Sequence, residues 1–147
     1  MGASGWDYVV DLPEGVPADP SAALVQLRER VLGESDFLWA DWLGPRPTTL
    51  AELDAIRQTD EFWDEGTHSV LDVDRIIPSG PDREAAVQEL PADEAEEVFG
   101  TPTPTRAQFE AAGVDLLPWG ARWSGRYQLL HDGGRPTSIA FWGASGD

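Results

Sequence analysis

The stretch Arg126-Tyr127-Gln128-Leu129-Leu130-His131-Asp132-Gly133-Gly134-Arg135-Pro136-Thr137-Ser138-Ile139-Ala140-Phe141-Trp142 decides the fold. Residues 126–131 alternate in character, Asp132-Gly133-Gly134 is turn chemistry, and residues 137–142 return with β-forming side chains, so the segment predicts an antiparallel hairpin. Pro136 sits at the start of the returning strand, where a missing N–H is tolerable on an edge. Upstream, Trp6-Asp7-Tyr8-Val9-Val10-Asp11-Leu12 predicts a first strand. Asp19 before Pro20 is an N-cap followed by proline at the first helical position. Ala23, Leu24, Leu27, Val31 and Leu32 then recur at helical spacing, with Gly33 as the stop.

Three more helices complete the pattern. Thr49 with Glu52 has capping-box spacing, and Leu50, Leu53 and Ile56 share a face up to about Thr59. A third helix runs over 92–99 and closes at Gly100. A fourth begins at Thr105, with Gln108 three residues on, and ends at Gly113. Residues 69–77 predict a buried strand stopped by Pro78, and residues 84–90 suit either strand or helix. The expected fold is a single compact α+β domain over 1–147, with a mainly antiparallel sheet, a C-terminal β-hairpin and about four helices. Sheet order stays open.

Composition narrows the chemistry. The 147 residues include 27 Asp and Glu against ten Arg, with no Lys, Asn or Cys, for a formal charge of −17. A chain of this size buries about 70% of its unfolded surface, enough for a core without staples. The missing cysteines exclude disulfides, the usual zinc fingers and thiol catalysis. The scarcity of cations excludes a nucleic-acid footprint. Arg without Lys fits a GC-rich genome or, less simply, adaptation to salt. The charge is uneven: residues 1–105 hold 23 acids and six arginines, whereas 106–147 hold four of each. Met1-Gly2-Ala3-Ser4-Gly5-Trp6 has neither a basic region nor an apolar stretch, and no apolar run nears the ~20 residues of a membrane helix. A cytoplasmic address, without membrane partners, is expected.

Two constellations stand out. Asp60-Glu61-Phe62-Trp63-Asp64-Glu65 puts four carboxylates around two aromatics. It either docks a basic partner, with the acids steering and an aromatic anchoring, or it turns its rings into the core and solvates its acids. In Gly66-Thr67-His68-Ser69-Val70-Leu71-Asp72-Val73-Asp74-Arg75, a strand would place His68, Asp72 and Asp74 on one face. Such a face offers a small-ligand or divalent-metal site for an enzyme. The plainer alternative is that Thr67 and Ser69 satisfy backbone while the aspartates pair with arginines. Asp93-Glu94-Ala95-Glu96-Glu97 is a solvated helix face whose first-turn acids suit the dipole. No catalytic residue is assigned and no cofactor is expected. Ser69 and His68, as strand neighbours, point apart, and neither a nucleophile elbow nor a phosphate-binding loop occurs. The tail Phe141-Trp142-Gly143-Ala144-Ser145-Gly146-Asp147 is expected to fray. Seven Trp residues are too many to bury with every indole N–H paired, so one or two belong at a groove or interface.

Gly66-Thr67-His68-Ser69-Val70-Leu71-Asp72 and the closing Phe141–Asp147 segment resemble a group of short acidic actinobacterial proteins without assigned activity. In size, acidity and lack of an export signal the chain is also similar to immunity proteins of bacterial toxin systems. That resemblance implies a binding protein that neutralises a basic toxin or nucleic-acid-acting enzyme, and it carries no residue roles. A DNA mimic would need its acids along an elongated surface, and acidity serving habitat alone would show as a need for salt in folding.

Overall fold

The structure, a computed structural model, describes residues 4–146. Nine regular elements follow one another: β1 (Ser4–Asp11), α1 (Pro20–Glu34), α2 (Leu50–Ile56), β2 (Arg75–Ile77), β3 (Ala86–Glu89), α3 (Ala92–Phe99), α4 (Arg106–Ala112), β4 (Ser124–Asp132) and β5 (Arg135–Ser145). Single 3-10 turns interrupt the connections at Asp41–Leu43, Asp60–Asp64, Val70–Asp72 and Val114–Leu116. The five strands form one sheet in the order β1-β5-β4-β3-β2. The β1/β5 and β5/β4 ladders are antiparallel and long, whereas β4/β3 and β3/β2 are parallel and short. The sheet is therefore mixed. The parallel β3/β4 step is possible because α3 and α4 supply the crossover between them.

The helices start where side chains cap them. Asp19 accepts from the Ala22 N–H, Thr49 from Glu52, and Thr105 with Gln108 forms a full capping box. Helix α1 runs through Gly33 rather than stopping there. Ser35, in the left-handed region at φ 55°, closes it by donating its N–H to the Leu32 and Val31 carbonyls. The hairpin turns at Gly133-Gly134, both at positive φ. Pro136 lies in β5, an inner strand, but β1 reaches only to Ser138 opposite Asp11, so the proline is locally on an edge.

Strand alternation separates two cores. Ile139 and Phe141 of β5 join Trp6, Leu24, Leu27, Leu53, Phe62, Val70 and Leu71 on the α1/α2 side. Ala140 and Trp142 join Phe99, Phe109 and Leu130 on the α3/α4 side. Trp6 lies across β5 because its cross-strand neighbours are glycines. A Cβ at Gly143 would stand 2.3 Å from the indole, and one at Gly125 would stand 3.2 Å away.

Two expectations are corrected. Residues 69–77 are not one strand: Val70–Asp72 is a 3-10 turn, and only Arg75–Ile77 pairs. The Ser69 hydroxyl accepts from the Leu71 N–H, and the Asp72 carboxylate folds back onto Thr67. Such bonds compete with a ladder. The apolar run is still core, since Val70, Leu71 and Val73 are fully buried. The tail does not fray either: β5 continues to Ser145, which pairs with Ser4 and is wholly buried. Asp147 lies outside the described residues. Residues 86–89 resolve as strand β3.

Candidate functional site

The acidic turn Asp60–Asp64 is one 3-10 turn, and its aromatics face inward. Phe62 is fully buried, packed edge-on against Trp63 at 4.9 Å and near Trp39 at 6.4 Å. Trp63 is half-buried; its indole N–H donates to the Arg57 carbonyl, and its ring meets Trp123 at 5.0 Å. Neither residue is an exposed anchor. Asp60, Glu61 and Asp64 are exposed, and Glu65 is partly so. Of the two readings of this segment, the rings follow the inward one.

Exposed apolar side chains stand on the neighbouring segment. The Leu38 N–H donates to the Thr67 carbonyl at 3.0 Å, which fixes residues 37–43 beside the acidic turn. Phe37 turns in beneath the Arg46 guanidinium, and Trp39 is half-buried with its indole N–H on the Gly44 carbonyl. Leu38 and Trp42 point out, 58% and 63% exposed. Asp36 and Asp41 are exposed beside them. The count of seven tryptophans announced such residues, but nothing in the spacing of 37–43 singled out Trp42. Trp119, 40% exposed, is another.

Arg57 underpins the turn. Its buried guanidinium bonds Asp74 at 2.9 Å, Asp54 at 3.3 Å and the Asp72 carbonyl at 3.1 Å, and it lies 5.5 Å from the Trp63 ring. Asp54 is shared with buried Arg28 of α1, and Asp74 with Arg75. Desolvation raises the Asp74 carboxyl, but Arg57 and Arg75 outweigh it and hold the group below the ordinary aspartate value.

His68, Asp72 and Asp74 do not share a face. His68, in the left-handed region at φ 54°, turns Nδ1 to the Ser4 hydroxyl, and its Nε2 stands 4.0 Å from the Glu65 carboxylate. Asp72 is fully buried and accepts from the Thr67 N–H at 2.7 Å, the Thr67 hydroxyl at 2.8 Å and the Ser145 hydroxyl. Burial pushes its carboxyl above the usual range, against the pull of Ser145, Thr67 and Arg57. Each of the three groups has its own partners, and among the described residues no three His, Asp or Glu side chains come together to hold a metal ion. The arrangement is a structural clasp: Asp72 ties the 66–72 loop to the end of β5, and His68 ties it to the start of β1. Ser69 bonds Thr67 and Leu71, not His68. The Ser4–His68 contact, 64 residues apart, left no local signal to read.

Among the described residues no helix is long and apolar enough to cross a membrane. The chain matches no protein-family model, no curated protein and no solved structure.

Proposed function

We propose that this chain is an acidic binding protein, an immunity-type inhibitor acting in the cytoplasm, that docks a basic toxin or nucleic-acid-acting enzyme through Leu38, Trp42 and the carboxylates of Asp60, Glu61, Asp64 and Glu65. The observation that carries this reading is the exposure of two large apolar side chains beside a turn whose acids face solvent. Isolated exposed leucines are ordinary, but a Trp 63% exposed within an acidic rim is the composition of an interface hot spot. The negative field steers and selects a cationic partner, and desolvation of the Trp42 and Leu38 side chains sets its residence time. Arg28, Arg57, Arg75, Arg106 and Arg126 are already engaged in ion pairs, so they offset the exposed acids only locally. An enzyme that acts on nucleic acid carries a cationic groove for phosphates, and a carboxylate surface is complementary to it.

The test compares capture from native lysate, at low and moderate salt, by the wild type and by a Leu38→Ala/Trp42→Ala variant. One basic enzyme retained at moderate salt by the wild type only, and inhibited stoichiometrically by it when purified, supports the reading. Heterogeneous basic proteins that bind both forms and wash off with salt overturn it.

A further inference from the structure

We infer that the cleft between α3 and the turn Val114–Leu116 is a second docking site, shaped for a segment of a partner protein that presents an arginine or lysine beside an apolar residue. It lies on the opposite side of the sheet from the acidic turn, so it extends the preceding proposal and does not depend on it. The cleft measures about 330 Å³ and is lined by Glu94, Glu97, Val98, Leu116 and Pro118. Two carboxylates spaced three residues apart share one face of α3, above an apolar floor. The lining contains no basic side chain.

The far lip presents Val114 and Leu116 with the exposed Asp115 between them, and it is preformed. Leu116 is 64% exposed and Val114 43%, while Leu117 between them and the sheet is buried. The Pro118 carbonyl accepts the Trp142 indole N–H at 3.2 Å, and Trp119 lays its ring against Gly5 of β1. The segment is thus fixed at Leu117, Pro118 and Trp119 while Leu116 projects, so little ordering remains to be done on binding.

The chemistry selects the occupant. A purely apolar guest would desolvate Glu94 and Glu97 without pairing them, and an acidic one would be repelled. A long cationic side chain lays its aliphatic stem on Val98, Leu116 and Pro118 and brings its head to the two carboxylates. The volume is near the lower end of the ~300–1,000 Å³ spanned by small-ligand sites, which suits one side chain and a neighbour.

The test is a titration of the ¹⁵N-labelled full chain with acetyl-Arg-Leu amide, and with acetyl-Glu-Leu amide as control. Saturable shifts confined to 94–98 and 114–119, including the Trp119 indole N–H, are expected, with a Kd of about 1 mM. Binding weakens about tenfold in Glu94→Gln/Glu97→Gln and in Leu116→Ala, and stays unchanged in Leu38→Ala/Trp42→Ala. Leu116 is mostly exposed, so its variant keeps the fold. Shifts spread over the acidic surface, equal binding of the Glu peptide, or indifference to the Glu94/Glu97 change would overturn the inference. Concentration-dependent shifts at this cleft without peptide would mean that a second copy of the chain occupies it, which overturns it as well.

Discussion

Replacing Asp72 by Asn, and separately by Ala, asks whether the clasp works through the shape of its acceptor or through its charge. Asp72 receives the Thr67 N–H, the Thr67 hydroxyl and the Ser145 hydroxyl, and Thr67, Asp72 and Ser145 are all within 1% of complete burial. Alanine leaves these donors without an acceptor. The Thr67 hydroxyl can fall back on Ser69 at 2.7 Å, but the Thr67 N–H has no such alternative. At about 1–3 kcal/mol for each orphaned buried donor, with one or two stranded, the loss comes to about 2–4 kcal/mol. Asparagine keeps Oδ1 for both Thr67 donors and turns its NH₂ to Ser145, whose oxygen then accepts. Because burial already favours the uncharged carboxyl, Asp72→Asn should lie within about 1 kcal/mol of the wild type near neutral pH.

The pH dependence follows the direction of the shift. A carboxyl raised in the folded state above the unfolded value of 3.8 binds a proton where the unfolded chain has released it. Its contribution is therefore fully present below about 3.8 and is lost as pH rises through the folded value. Asn removes that slope. Urea unfolding followed by tryptophan fluorescence at about pH 7 and at about pH 3.8 measures all three forms, with Asp72→Asn gaining on the wild type at the higher pH. If Asp72→Asn is as damaging as Asp72→Ala at both values, the ionised carboxylate itself holds the turn through Arg57, and the reasoning fails.

Other outcomes are open to direct measurement. Gly66→Ala should destabilise by well over the ~1 kcal/mol of its positive φ, because its Cβ would stand 2.4 Å from the Trp123 ring; Gly100→Ala, in the left-handed region with open space around it, should show the backbone term alone. Leu38→Ala and Trp42→Ala should leave the unfolding free energy in urea within about 0.5 kcal/mol of wild type while weakening partner capture, since both side chains face solvent. Neutralising Asp60, Glu61, Asp64 and Glu65 together should slow association with the captured partner and flatten its salt dependence; unchanged kinetics would remove the acidic turn from the interface. In acid, Asp74 and Asp82 work in the opposite sense to Asp72. Desolvation raises both, but their arginine partners outweigh it and hold them below 3.8, so their contributions are present above that value and lost as pH falls through the folded ones. Asp82→Asn should therefore weaken the chain at neutral pH and narrow its loss on acidification.

What was legible in the sequence was what short-range chemistry settles. The caps at Asp19, Thr49 and Thr105 act within three residues, and the Gly133-Gly134 turn fixes the hairpin by itself. Residues 66–77 were misread because their organising partner, Ser145, lies 73 residues from Asp72, while the β-branched run around Val70 and Val73 imitates a strand. The aromatics of the acidic turn face inward for an equally remote reason. Trp63 is held by Trp123, and Phe62 enters a core shared with α1 and β5, so nothing between residues 60 and 65 reveals the direction. Conversely, Leu38 is set beside the acidic turn by a backbone bond to Thr67, 29 residues away, and Trp42 stands on a short 3-10 turn of its own, neither of which any periodicity announces.

The same geometry bears on why the chain is so acidic. Arg28 and Arg57 engage Asp54 and Asp74, Asp72 is buried in the clasp, and most of the other carboxylates stand on the surface, where their mutual repulsion opposes the compact state. Added salt screens that repulsion over a Debye length of about 10 Å at 0.1 M, so stability should rise with ionic strength whatever the acids are for. Habitat and partner binding differ in the second measurement. If the acids serve salt tolerance alone, Trp42 and Leu38 have no role, and their removal changes neither stability nor association at any ionic strength. If they steer a cationic enzyme onto those two side chains, the association rate falls with salt over the range in which folding stability climbs, and the dissociation rate responds to Trp42 and Leu38 but not to salt.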